Sequence, residues 1–251
     1  MVRPPVRIGF DKPRRLHEAL RSVAQIVAPA SRITADTHGV PEVLGAAVRG
    51  RLVEIRSPLP TGRLSVAVSC VIHAQADGEP CAWALRARAP LPHPPDLAAR
   101  GVDLGALLFL LVPQEAGAAG LGRAAEIVLR SGAVGLVVLD LVTAEPHGAS
   151  HPWPDAPRRA TTHAERTADA GELSEGWQSR LAALARRHHS AVLLLTDGGT
   201  YTGPLVSLRI APRRARGCDT RLLVEPRVER DRLGRTKPFE PLESLAPELL
   251  P

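Results

Sequence analysis

The stretch LVEIRSPLPTGRLS, residues 52–65, organises the rest of this chain of 251 residues. Its apolar, partly β-branched start predicts a short strand, and its proline- and glycine-containing middle predicts a turn. A helix is expected to follow, through about Gln75. A strand, a tight loop and a helix in this order place backbone N–H groups and a helix N-terminus around a phosphate group. The stretch therefore predicts an α/β protein with the layout of a phosphate-binding loop.

The loop departs at most positions from the P-loop pattern G-x-x-x-x-G-K-[ST], in which lysine contacts phosphate and the hydroxyl binds magnesium. Ser57 replaces the first glycine, Arg63 the lysine and Leu64 the hydroxyl residue, whereas Gly62 matches and Ser65 follows. Arginine still donates hydrogen bonds to phosphate, but it is longer and planar where lysine is a compact charge. Two interpretations follow: a relic loop held by packing, which explains the joint loss of several groups, or a nucleotide site. That site would consist of Ser57, Pro60, Gly62, Arg63, Leu64, Ser65 and Asp140.

The net charge of +6 comes from arginine, because Lys12 and Lys237 are the only lysines. An arginine excess reflects either a compositional bias of the genome or a surface that binds phosphate. Both a solvated basic face and weak, salt-sensitive binding of single-stranded DNA therefore stay open. The clustered residues are Arg158, Arg159, Arg186, Arg187, Arg213, Arg214 and Arg216.

Several other classes of site and location find no support in the sequence. The three cysteines have unrelated spacings, and no acidic or cysteine residues complete a metal site around the histidine pairs. No motif orders serine, histidine and aspartate for a hydrolase. No apolar run approaches the ~20 residues of a membrane span. We expect a cytoplasmic protein without a metal centre. The residues concerned are Cys70, Cys81, Cys218, His147, His151, His188 and His189.

Strands and helices alternate along most of the chain, which predicts a mostly parallel sheet with helices on both faces. The carboxyl ends of the strands form the ligand-binding edge of such a sheet, and Asp140 and the Ser57–Arg63 loop are expected there. The predicted strands are 52–56, 81–85, 107–112, 134–141 and 191–196, and the predicted helices are 13–27, 40–48, 63–75, 121–130 and 174–188.

Three regions divide the chain by composition. Residues 1–39 hold a lead-in and an amphipathic helix, which is interpreted as a packing helix or a partner-docking helix. Residues 40–236 form the core, with a long loop at 143–173 and a terminal hairpin from strands 205–211 and 220–224, joined through 213–217. Residues 86–96 are proline-rich and predict a loop. Residues 237–251 form a proline-rich, loosely held tail.

Five local features occur in a fixed order along the chain. They are the Val53-Glu54-Ile55 strand, the Cys81-Ala82-Trp83 strand, Gly101-Val102-Asp103 before Leu107-Leu108, Arg130–Val134 leading to Asp140, and Lys237-Pro238-Phe239. Their order and spacing resemble the core of RecA recombinases over about residues 35–240. The resemblance implies a RecA-like P-loop NTPase core, with a mostly parallel sheet flanked by helices and a C-terminal β-hairpin.

The departures from that family concern nucleotide chemistry. Arg63 and Leu64 stand at its phosphate lysine and magnesium threonine, and Leu85–Arg88 stand where a carboxylate should activate water. Thr196-Asp197 replaces a nucleotide-sensing Asn-Gln pair, and Asp140 remains at the Walker B position. Because these groups are lost together, we expect no ATP hydrolysis at RecA-like rates and no bound ATP or magnesium cofactor.

A shortened RecA-like core with an eroded P-loop is similar to the ImuA family, also described as SulA-like or RecA-like mutasome proteins. The resemblance implies an adaptor in the SOS-type DNA damage response and in error-prone translesion synthesis. Its implied partners are RecA and a Y-family polymerase relative, which would bring it to the nucleoid. Two alternatives stay open: a weak ATPase using Arg63, Ser65 and Asp140, and an arginine-driven DNA-binding protein.

Overall fold

A computed structural model describes residues 42–57, 62–142, 173–197, 203–216, 222–234 and 238–244. The predicted helix at 13–27, the region 1–39, Pro60, Arg158 and Arg159 lie outside the described residues. So do His147, His151, Cys218 and nearly all of the predicted 143–173 loop. Predictions about those residues stay predictions.

The described strands form a single eight-stranded sheet in the order β3-β2-β4-β5-β1-β6-β7-β8. The six strands from β3 to β6 run parallel, and β7 and β8 are added antiparallel at the other end. This arrangement confirms the predicted α/β fold with a C-terminal hairpin. The strands are β1 Leu52–Arg56, β2 Cys81–Arg86, β3 Leu107–Val112, β4 Leu136–Asp140, β5 Ala191–Thr196, β6 Leu208–Arg216, β7 Leu222–Asp231 and β8 Leu242–Ser244.

Helices cover both faces of the sheet, and the sheet separates two apolar cores. One core lies beneath α2 and extends under the hairpin, and the other lies beneath α4 and α5. The central strands read as unbroken apolar runs because both of their faces are buried, as in other parallel sheets. No helix in the described part of the chain is long and apolar enough to cross a membrane. The helices are α1 Glu42–Val48, α2 Arg63–Ala76, α3 Pro94–Ala99, α4 Gly117–Arg130 and α5 Glu175–His188, and short 3-10 turns lie at Leu104–Ala106 and Gln114–Ala116.

Four segments differ from the sequence-based expectation by more than small shifts at their ends. The second hairpin strand, expected at 220–224, is Leu222–Asp231. The helix Pro94–Ala99 lies partly inside the expected loop 86–96, because prolines at its first positions have no N–H that needs an intrahelical partner. Strand β6 extends to Arg216, so Arg213, Arg214 and Arg216 belong to a strand and not to the hairpin turn. Residues Leu242–Ser244, expected in a loose tail, pair antiparallel with β7.

Gly62 sets the path of the chain into α2. Its φ of +86° lies in the left-handed region, and a Cβ atom there would come within 2.5 Å of a methyl carbon of Val224 on β7. The Gly62 carbonyl accepts the first hydrogen bond of the helix, from the Val66 N–H at 3.0 Å. Glycine is therefore required both by the backbone angle and by close contact with the hairpin.

We predict that Gly62→Ala lowers the free energy of unfolding by about 2–4 kcal/mol, from left-handed strain plus overpacking. Gly78→Ala is the matched control, because Gly78 has a φ of +79° and no atom within 4 Å of the position that a Cβ would take. It should cost about 1–2 kcal/mol from strain alone. Urea unfolding measures both values. Equal losses in the two variants would contradict the contact with Val224, and adding Val224→Ala to Gly62→Ala should recover part of the extra loss.

Candidate nucleotide site

The carboxyl edge of the sheet brings together most of the site residues proposed from the sequence. Strand β1 ends beside Ser57, whose N–H donates to the Thr196 carbonyl at the end of β5 at 3.1 Å. Asp140 ends β4, and Arg63 begins α2 directly above this edge. The predicted position of Asp140 and of the 57–63 loop is therefore correct for the described residues, which exclude 58–61.

Arg63 turns its guanidinium back towards the strand ends. Its Nη1 atom donates to the Ser57 carbonyl at 3.0 Å and to the Thr196 carbonyl at 3.1 Å. These two carbonyls belong to the ends of neighbouring parallel strands, β1 and β5. The arginine at the P-loop lysine position thus bonds to the protein's own backbone, and a phosphate would have to compete with those bonds.

Charge within the site is balanced by its own side chains. Burial lowers the pKa of Arg63, while the nearby Asp140 and Asp197 carboxylates act in the opposite direction. Burial likewise raises the pKa of Asp140, opposed by the Val142 N–H, which donates to Oδ1 at 3.2 Å, and by Arg63 and Arg86. The two cations that a phosphate group would need here, Arg63 and Arg86, already interact with the Asp140 carboxyl.

The remaining groups do not suit magnesium and ATP as a P-loop binds them. Leu64 is 45% exposed and has no ligand atom to offer a metal. The Ser65 hydroxyl accepts a hydrogen bond from Arg100 Nη1 at 3.3 Å. Arg86, buried at the end of β2, places a cation near the stretch expected to carry the water-activating carboxylate. The described residues hold no cluster of three or more potential metal ligands.

A buried polar network beneath this edge was not found by sequence reasoning. Glu54 in β1 is fully buried; its Oε1 accepts from the Thr196 hydroxyl at 2.8 Å and its Oε2 from Arg209 Nε at 2.5 Å. The three residues tie β1 to β5 and β6, the strands on its two sides. The sequence did offer a signal for this network. Glu54 lies within an apolar strand, and a carboxylate buried there requires a hydrogen-bonding or charged partner.

The arginine clusters do not converge on one surface. Arg213 and Arg214 are exposed on the part of β6 that extends past the end of β1 at the carboxyl edge. Arg186 and Arg187 are exposed in the last turn of α5, just before β5 begins, and so lie at the opposite edge. The described residues therefore do not join these two arginine clusters into one continuous DNA-binding surface.

The chain is similar to proteins named RecA over part of its length. Protein RecA of Clostridioides difficile (strain 630) is 33% identical over 144 residues, which are 57% of this chain and 36% of that protein. Protein RecA of Nocardia farcinica is 33% identical over 180 residues, 71% of this chain and 45% of that protein. Protein RecA of Rhodococcus opacus (strain B4) is 33% identical over 193 residues, 76% of this chain and 48% of that protein.

The similarity to these RecA proteins covers only part of their length. No family model matches the chain. The chain spans less than half the length of each of the three relatives named above. Taken with the mostly parallel sheet and its terminal hairpin, the identities establish that this chain contains a RecA-like core.

The raised pKa of Asp140 yields a prediction about pH. The folded state favours the neutral carboxyl of Asp140 because burial raises its pKa. The contribution of this carboxyl to the free energy of unfolding is complete below the ordinary pKa of 3.8 and is lost as pH rises through the higher pKa of the folded state. Asp140→Asn keeps an oxygen for the Val142 N–H but stays neutral. We expect the variant to gain unfolding free energy relative to the original protein as pH rises from about 4 to 8.

Urea unfolding at several pH values measures that difference. A gap between the two proteins that grows with pH supports burial as the dominant influence on Asp140. A difference that stays constant with pH would mean that burial and the opposing contacts cancel, and one that shrinks as pH rises would mean that attraction to Arg63 and Arg86 dominates. Either result would contradict the prediction.

Proposed function

We propose that this chain is a RecA-like accessory protein whose core serves as a protein-binding scaffold and does not hydrolyse nucleotide. The observation that carries the proposal is the pair of hydrogen bonds from Arg63 to the Ser57 and Thr196 carbonyls. They join the strand ends from within the protein. The core therefore does not depend on bound phosphate to hold its loop and strands together.

The chemistry around Arg63 supports the same proposal. Phosphoryl transfer needs metal, positioned water and cationic donors that are free to follow the developing charge. Arg63 instead donates to fixed carbonyls, Leu64 brings no oxygen to a metal, and Arg86 is a buried cation at the end of β2. A weak ATPase built on Arg63, Ser65 and Asp140 is correspondingly disfavoured.

We place this scaffold in the SOS-type DNA damage response and in translesion synthesis, as an adaptor between RecA and a Y-family polymerase relative. Its likeness to RecA supports this, because a protein with a RecA-type surface can offer that surface to a partner of RecA or to RecA itself. The mechanism is surface mimicry without a nucleotide cycle. Such contacts would hold the protein at the nucleoid.

Direct DNA binding is a second candidate, favoured by one observation. Arg213 and Arg214 are exposed on the end of β6 that extends beyond the carboxyl edge of its neighbour. Binding through such side chains would be insensitive to sequence and would weaken steeply with salt. A loss of binding in Arg213→Glu with Arg214→Glu, against an unchanged Arg186→Glu variant, would support this candidate.

Capture of the proposed partners tests the adaptor role. We predict that the purified full chain, immobilised, retains RecA or the Y-family polymerase relative to the same extent with and without ATP and magnesium. Retention should be unaffected by Arg63→Lys, because in this account no nucleotide-driven change presents the binding surface. The matched control is an unrelated immobilised protein of similar net charge.

Capture that requires ATP would contradict the scaffold mechanism. Absence of capture of either protein under both conditions would contradict the adaptor role itself. Nucleic acid must be removed enzymatically beforehand, since DNA shared by two basic proteins would imitate direct contact.

A further inference from the structure

The outer surfaces of α4 and α5 form a groove that the nucleotide site does not use. The two helices pack side by side on the sheet face opposite α2. The groove is an open surface depression with a volume of about 490 Å³. We call it the α4/α5 groove; its lining residues are Glu126, Arg130, Arg180, Ala183 and Leu184.

Arg180 is held in place by an aromatic ring. Its guanidinium carbon lies 5.1 Å from the centroid of the Trp177 ring, within cation–π range. Stacking restricts the side chain while leaving the edge of the guanidinium plane available to an acceptor. A restrained arginine loses less entropy on binding, and arginine and tryptophan are enriched among residues that dominate interface energy.

The groove and the helices around it carry an excess of positive charge. Together α4 and α5 contain five arginines and two glutamates, a formal excess of three positive charges. Glu126 pairs with Arg130 at 3.2 Å, but its side chain is 16% exposed and that of Arg130 is 67% exposed. The cation of this pair is therefore more exposed to solvent than the anion, and Arg130 can donate hydrogen bonds to a second carboxylate.

The floor of the groove is apolar between these cations. Leu184 is half-buried and Ala183 is exposed, and both lie one turn from Arg180 on the same side of α5. The groove thus has Arg180 and Arg130 with an apolar surface between them. This arrangement is complementary to a helix that presents carboxylates on either side of an aliphatic side chain. A nucleic acid backbone would meet Glu126 and an apolar floor without stacking platforms, which suits it less.

We infer that the α4/α5 groove is a docking site for an acidic amphipathic helix of a partner protein. Carboxylates of that helix contact Arg180 and Arg130, and an aliphatic side chain packs on Leu184 and Ala183. This inference uses neither the nucleotide site nor the identity of the partners proposed above. It therefore stands or falls separately from the proposed function.

A synthetic peptide of about 18 residues, roughly five helical turns, tests the inference. It carries leucines along one face with glutamates one turn before and after them, and a fluorescein label reports binding to the full chain by anisotropy. Arg180→Glu and Ala183→Glu change the groove. Arg186→Glu and Ser179→Glu make the same charge changes on exposed positions of α5 outside its lining.

We expect saturable binding that weakens at least about tenfold in both groove variants and changes less than about twofold in both controls. A peptide with serine in place of leucine should also bind at least about tenfold more weakly. Circular dichroism confirms that the variants stay folded, which all four should because the positions are exposed.

Three results would overturn the inference. The first is an absence of saturable binding by the original protein. The second is an equal loss in groove and control variants, which would mean general charge attraction. The third is undiminished binding of the serine peptide, or preferential groove-dependent binding of a single-stranded oligonucleotide, which would assign the groove to a simple polyanion.

Discussion

The hydrogen bonds from Arg63 to two strand-end carbonyls are the interaction on which the carboxyl edge of this sheet depends. Ser57 and Thr196 lie at the ends of adjacent parallel strands in the middle of the sheet, where the pairing of β1 with β5 stops. A partly buried guanidinium would be unfavourable without acceptors, and these carbonyls supply them. The side chain that would hold a phosphate in a P-loop protein here satisfies the backbone of the protein itself.

The interior below that edge holds a polar network formed by side chains of three neighbouring strands. Glu54 sits in the central strand with no exposed surface, and Thr196 and Arg209 from the flanking strands satisfy its two oxygens. Gly62, directly before α2, lies close to Val224 of β7, so the hairpin packs against the start of α2. These internal contacts are what the proposed scaffold role relies on.

The apolar runs at 52–56, 107–112 and 191–196 predicted three strands at these bounds, because residues buried on both faces leave an unbroken pattern. The same logic puts Asp140 at a strand end. The pattern failed at Pro94–Ala99, because prolines that begin a helix are also typical of a loop. It also failed at Leu242–Ser244, where the strand is decided by pairing with β7. The sequence shows that Arg63 replaces the P-loop lysine, but it does not show which groups the guanidinium contacts. One of those groups is the Thr196 carbonyl, which lies 133 positions away in the chain.

Titration calorimetry of ATP and magnesium into the full chain tests the central claim most directly. A RecA protein measured in parallel provides the positive control, and Arg63→Ala shows whether removing the guanidinium changes the response. The account predicts no saturable heat from the original protein at millimolar nucleotide. Saturable one-site binding with a Kd below about 0.1 mM, lost in Arg63→Ala, would contradict it, because Arg63 would then contact phosphate and not the strand ends.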